Sequence, residues 1–302
     1  MPATRPVLWT TFATLLVLGC SEDPVQPPNI LEPPPNVPPA LVGEWGESGS
    51  GEGQFRNLRD MVIDSDDIIY LADAPTPRVQ LFRTDGTFLT QWTIEIPGVD
   101  VNDGPVGLAL GPNGYVYELH NNGGPGWVAR FTPHGGFVSM FSLVFGEEDG
   151  EFSFPLALAV DGAGNIYIAD LLDDRIQKLD PEGQFLEAWT AGETPITQAI
   201  DLAWGPEGIL FVLARQSHIH EFALDGTHLR NWSVEHHTPE VLTVDPFGLV
   251  YTSSQRRDTI ERSTAEGVQV EWEDAGNALV VASDGTVLVG HAESVAVYRY
   301  PR

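Results

Sequence analysis

Eight ionisable side chains fall where carboxylate or imidazole chemistry is possible. Asp60 and Asp201 occupy one position, four residues ahead of a turn, in the first and fourth units of a repeated pattern. The matching residues of the other units are Gly107, Ala157, Val241 and Ala278. Two carboxylates near one axis could hold a cation such as Ca²⁺ or shift each other's pKa. Arg59 and Glu240 lie beside them and complete a candidate binding set. The plainer role for Asp60 is an ion pair with Arg59, or solvation in a wet channel. A second layer, further along each unit, reads Asp73, His120, Asp170, Ala214, Ser254 and His291. Neutral imidazoles beside carboxylates suit Zn²⁺, so His120, His291, Asp73 and Asp170 are candidate metal ligands. The plainer role of Asp73 and Asp170 is to accept from loop amides and from an Arg of their own unit. His218, His236 and His237 fall in predicted loops of the same face. No H-E-x-x-H pair, Gly-rich phosphate loop, Ser nucleophile elbow or Cys nucleophile accompanies them.

The elements that must position these residues are short strands. Residues 145–190 contain four, LALAV, NIYIAD, RIQKL and FLEAW, parted by the turn signals DGAG and DPEG. Aligning the chain on Tyr70, Tyr117, Tyr167, Phe211, Tyr251 and Leu288 gives six units at intervals of 37 to 50 residues. Three residues earlier stand Asp67, Gly114, Gly164, Gly208, Gly248 and Gly285, where a tight turn needs positive φ. The outer strands end in Trp92, Phe141, Trp189, Trp232 and Trp272, a regularity that assigns these aromatics to packing between units. A repeat of this length with four strands per unit predicts an all-β, six-bladed β-propeller of four-stranded blades.

The sixth unit lacks a fourth strand, and residues 40–47, ALVGEWGE, match the missing one. This N-terminal strand is expected to pair into the C-terminal blade, closing the ring and removing its open edges. The links 46–57, 93–104 and 142–154 are long, so one face should be built up over the first three blades, where binding loops would gather.

The third unit carries Phe154-Pro155, Ala159-Val160-Asp161, Gly164-Asn165-Ile166-Tyr167, Ala169-Asp170 and Arg175-Ile176-Gln177. The first has Gly51-Glu52-Gly53-Gln54-Phe55, Ala72-Asp73 and Arg78-Val79-Gln80. These runs resemble the NHL repeat, over about residues 40–302. The resemblance implies the propeller fold and leaves function open. NHL-type propellers include the lyase that cleaves peptidyl hydroxyglycine, which implies Zn²⁺ on three histidines with Ca²⁺ nearby. His120 and His291 fit that set, and no third histidine stands on a matching motif. Gluconolactonase-like propellers, with axial carboxylates on Ca²⁺, are a further comparison through Asp60 and Asp201.

Residues 1–20 read as a signal peptide, with an apolar core too short to span a bilayer comfortably. Val17-Leu18-Gly19-Cys20 resembles a bacterial lipoprotein lipobox, which implies acylation of Cys20, the only cysteine of the chain. Residues 21–39, eight of them Pro, read as a tether, ahead of a propeller at 40–302. A formal net charge of −28 disfavours nucleic acid as a partner. The expectation is a protein exported and lipid-anchored to the bacterial cell envelope, a non-catalytic binding scaffold or sensor head. Its partners would be the membrane, through the anchor, and a protein, peptide or small-molecule ligand on the built-up face. The alternative is a metal-dependent enzyme on that face, using Ca²⁺ or Zn²⁺.

Overall fold

The computed structural model describes residues 33–301 except 75, 100, 102, 103, 122, 123, 125, 192–194, 236 and 237. Six antiparallel four-stranded sheets form the blades. Blade one is Leu58–Ile63, Ile68–Asp73, Arg78–Arg83 and Phe88–Thr93. Blade two is Gly107–Leu110, Val116–His120, Trp127–Phe131 and Phe137–Ser142. Blade three is Pro155–Val160, Ile166–Asp170, Arg175–Leu179 and Phe185–Trp189. Blade four is Ala199–Trp204, Leu210–Ala214, His218–Phe222 and His228–Ser233. Blade five is Val241–Val244, Val250–Ser254, Thr259–Thr264 and Gly267–Glu273. Blade six is Ala278–Val281, Val287–Gly290, Val295–Arg299 and, on its outer edge, Ala40–Trp45. Successive inner strands touch all round the ring, blade six against blade one included.

Each second strand is covered on both faces by neighbouring blades, so Ile166–Asp170 is buried throughout. Outer strands have one free face, and Phe185–Trp189 is partly exposed. The turn between the first and second strands is locked by an aspartate. Asp161 Oδ1 accepts from the Ala163 and Asn165 N–H groups, and its Oδ2 from the Tyr167 hydroxyl. Asp64 and Asp245 repeat this with Tyr70 and Tyr251. The turn position three residues before each anchor has φ between 58° at Asp67 and 87° at Gly164.

The ring closes as expected. Ala40–Trp45 lies antiparallel to Val295–Arg299, with Ala40 opposite Arg299 and Trp45 opposite Val295. Two residues beyond that strand, Glu47 bridges to Gln54.

We call upper the face at which the inner strands begin. The chain joins the ring at the lower face. There the buried Arg262 guanidinium donates to the Pro35 carbonyl at 3.0 Å and to Asn36 Oδ1 at 2.7 Å, and lies 5.0 Å from the Tyr300 ring. The last residues of the expected tether are therefore fastened to the propeller. Cys20 and residues 1–32 lie outside the described residues.

Blade-to-blade packing explains the aromatic at the end of each outer strand. A Cβ on Gly86 would run into Trp45, on Gly135 into Trp92, on Gly183 into Phe141 and on Gly226 into Trp189. Each of these glycines also has positive φ. Among the described residues, the indole N–H groups of Trp45, Trp189, Trp232 and Trp272 are buried without an acceptor, whereas Trp92 faces the Glu118 carboxyl. The contribution of those four is therefore area and shape rather than a hydrogen bond, and Phe141 fills the same role in blade two. Trp272→Phe should cost less than about 1.5 kcal/mol and Trp272→Ala about 3–5 kcal/mol, read from urea unfolding midpoints. A large loss on Trp272→Phe would show that the indole nitrogen matters.

Candidate functional site

The inner strands surround an axial channel of about 460 Å³. Its lining holds four charged residues, Arg59, Asp60, Asp201 and Glu240. Thus the structure brings together all four members of the axial set. Much of the remaining wall is aliphatic, including Leu108, Leu158, Leu202 and Leu242, and Trp204 lines the lower part. Arg59 and Glu240 are exposed at the upper mouth.

Local backbone irregularity aims the two aspartates. The register shifts between Leu58 and Asp60 in blade one and between Ala199 and Asp201 in blade four. Such bulges re-aim the side chain that follows them. Asp60 Oδ1 accepts from the Met61 N–H at 2.8 Å, and Oδ2 from Leu108 N–H of blade two at 2.6 Å. Asp201 does the same, with Leu202 at 2.8 Å and Leu242 of blade five at 2.7 Å. Each carboxyl therefore ties its blade to the next. Asp60 forms no ion pair with Arg59; among the described residues Arg59 has no carboxylate within 4 Å. Glu240 accepts from the Gln255 N–H at 3.2 Å. The Gln255 side-chain amide bonds Asn277, which donates to the Leu58 carbonyl and so links blades five, six and one at the mouth.

Burial raises the pKa of Asp60 to about 8, with the Asp201 carboxylate adding to the shift and the two N–H donors opposing it. Burial raises Asp201 to about 7. Asp201 ionises first, and its charge then hinders Asp60.

The second layer has four distinct local environments. Asp73 accepts from the Arg56 and Asn57 N–H groups and pairs with buried Arg78 at 2.9 Å. Asp170 accepts from the Ser153 and Phe154 N–H groups, and burial raises its pKa to about 6. Arg175 does not reach Asp170; it binds the Glu148 and Glu151 carbonyls and Asp173. His120 stacks on Trp127 with centroids 3.5 Å apart, and its Nε2 lies 3.3 Å from Glu118 Oε2. Here a His–Trp stack replaces the Asp–Arg pair of blade one. Burial lowers the His120 pKa to about 3 and holds Glu118 well above the carboxylate range, which favours a neutral pair. His291 is bonded to Asp274 at 3.2 Å, which raises its pKa. No three His, Cys, Asp or Glu side chains among the described residues are grouped to hold a metal ion.

His218 begins the third strand of blade four and is paired on both sides, rather than lying in a loop. His236 and His237 lie outside the described residues. Two further histidines meet in the same blade: His220 Nδ1 is 3.2 Å from His228 Nε2. Burial lowers the His220 pKa to about 4, with the neighbouring His228 and His218 adding to the effect. In the aligned third strands His220 stands where Gln80 and Gln177 clasp the preceding links. Comparing RVQ, RIQ and HIH would have shown it. Glu118 was likewise visible as an acid where the other units read Leu71, Ile168, Val212, Thr252 and Val289.

Folding favours the protonated form of Asp60 and Asp201, whereas unfolded carboxyls titrate near 3.9. Their contribution to stability therefore falls as pH rises from about 4 to about 8, and the penalty is complete above that. An Asp60→Asn, Asp201→Asn variant should show a smaller drop in Tm between pH 5 and pH 8.5 than the parent, measured by calorimetry. An unchanged drop would mean that neither carboxyl is shifted.

No protein-family model matches the chain. Solved structures share the fold. Virginiamycin B lyase from Staphylococcus aureus is similar at a TM-score of 0.57 and 13% identity, over 82% of this chain and 81% of that one. A streptogramin B lyase gives 0.59 and 13%, over 86% and 97%. A catalytically inactive virginiamycin B lyase of Staphylococcus aureus with quinupristin gives 0.59 and 13%, over 84% and 82%. At this identity the likeness is one of fold: the chain is a six-bladed β-propeller.

Proposed function

We propose that this chain is an NHL-type propeller held at the bacterial cell envelope by a lipid on Cys20, and that it acts as a non-catalytic binding head. Its ligand, a protein, peptide or small molecule, engages the upper mouth of the axial channel. The observation that carries this reading is the gathering of Arg59, Asp60, Asp201 and Glu240 in one axial channel whose wall is part aliphatic and part polar. The histidines that would serve metal chemistry have partners of their own, Glu118 for His120 and Asp274 for His291. The place where the chain joins the ring also supports it. Residues 34–36 are fastened at the lower face, on the side of the ring opposite the mouth.

The second reading is a metal-dependent enzyme on the upper face, and the fold shared with streptogramin B lyase is what favours it. Metal analysis of the purified mature chain separates the two. The binding-head reading expects no stoichiometric Zn²⁺ or Ca²⁺ that His120→Ala or His291→Ala removes. Zinc at one per chain, lost with His120→Ala, would favour the enzyme. Cys20→Ser should move the protein from the membrane fraction to the soluble fraction; retention in the membrane would refute the lipid anchor.

A further inference from the structure

We propose that the axial channel takes an organic ammonium ion with an apolar body, its charged end held between Asp60 and Asp201. This rests on the reading of the channel as the binding site and names the class of ligand. The cavity, at about 460 Å³, is of the size that holds a small organic molecule. Its wall is rich in Leu, Val and Ile side chains, with the indole of Trp204 in the lower part. The exposed wall is about as polar as apolar, because unpaired backbone groups of the strand edges alternate with these side chains; it gives a hydrocarbon body contact and leaves polar groups for its charged end.

The polar groups select the charge. An ammonium group has three donors and no acceptor, whereas a carboxylate accepts through about four lone-pair sites. Asp60 and Asp201 each use two of theirs on backbone N–H groups, leaving the rest for a ligand. Gly107 keeps the space beside Asp60 open; a Cβ there would stand 3.8 Å from Oδ2 and press on Leu158 at 3.1 Å. A calcium ion instead needs six to eight oxygens, and the described residues offer no cluster of three ligating side chains. The other charged groups facing the channel, Arg59 and Glu240, are exposed at the rim and screened by solvent.

Proton linkage follows from the same geometry. Near neutral pH the empty pair retains protons, because burial raises both pKa values. A bound ammonium favours the ionised carboxyls and displaces protons. Affinity should therefore rise as pH increases through 7 and 8, up to the loss of the amine's own proton at about 10.

The test is calorimetric titration of the full mature chain with benzylamine, with benzyl alcohol as the neutral counterpart and with calcium chloride. Benzylamine should bind one per chain, about tenfold or more tighter than the alcohol, and release protons in paired buffers at pH 7. Asp201→Asn and Asp60→Asn, whose amide oxygens can still accept from one backbone N–H, should each weaken it about 100-fold, in line with removing one partner of a charge pair inside a cavity. Gly107→Val should block it by filling the space beside Asp60 Oδ2, with both carboxyl groups retained. Equal binding of the alcohol, or benzylamine binding untouched by both Asn variants, overturns the ammonium assignment. Calcium or alcohol binding that depends on Asp60 overturns it too, while leaving the channel a binding site. No binding of any probe overturns the ammonium assignment and counts against the channel as the site, whereas the choice between binding head and metal enzyme still rests on the metal analysis.

Discussion

The ring depends on one contact, an aromatic side chain at the end of an outer strand lying against a turn glycine of the next blade. Trp45 on Gly86, Trp92 on Gly135, Phe141 on Gly183 and Trp189 on Gly226 are four copies of it. Glycine is required there twice over, by positive φ and by the ring on top of it. Each contact removes a large apolar surface from water and sets the spacing between sheets that share no hydrogen-bond ladder. In blade five the turn is a residue shorter, nothing lies within 4 Å of where a Gly267 Cβ would stand, and Ala265 packs in the cluster that holds Trp232.

That packing creates a difficulty at the axis. The free edge of every inner strand faces the channel with backbone groups that no ladder satisfies. Asp60 and Asp201 answer it at opposite points of the ring, each accepting one N–H from its own strand and one from the next. The cost is a pair of acid groups half-buried in the channel wall, and the partial loss of hydration raises both pKa values towards neutral pH. A side chain that secures the wall is thereby also the group a ligand would meet. Asp73 differs, since Arg78 and two loop N–H groups occupy it.

Most of the architecture was legible because a repeat states each rule several times. The turn residues from Asp67 to Gly285, the outer aromatics and the orphan strand around Trp45 all lie where their spacing put them. The axial set was legible for the same reason: one register in six units places Asp60 and Asp201 at facing positions. The second layer was less so. A shared register put Asp73, His120, Asp170 and His291 at equivalent strand ends, but it carried no information on the partners that occupy them. Glu118 beneath His120 and Asp274 beside His291 come from single departures in one unit, which averaging over repeats hides. Arg262 belongs to no motif; its acceptors, Pro35 and Asn36, are more than 220 positions away in sequence.

The pairing of Ala40 with Arg299 and Trp45 with Val295 has a kinetic corollary. The strand made first must wait for the one made last, so every intermediate lacking the tail has two unpaired borders. Search for so distant a partner is slow, because the intervening loop entropy is lost before any bond repays it. The reward comes at the end: once joined, no blade can peel away without breaking the circle, and opening becomes an all-or-none event rather than a fraying from one side.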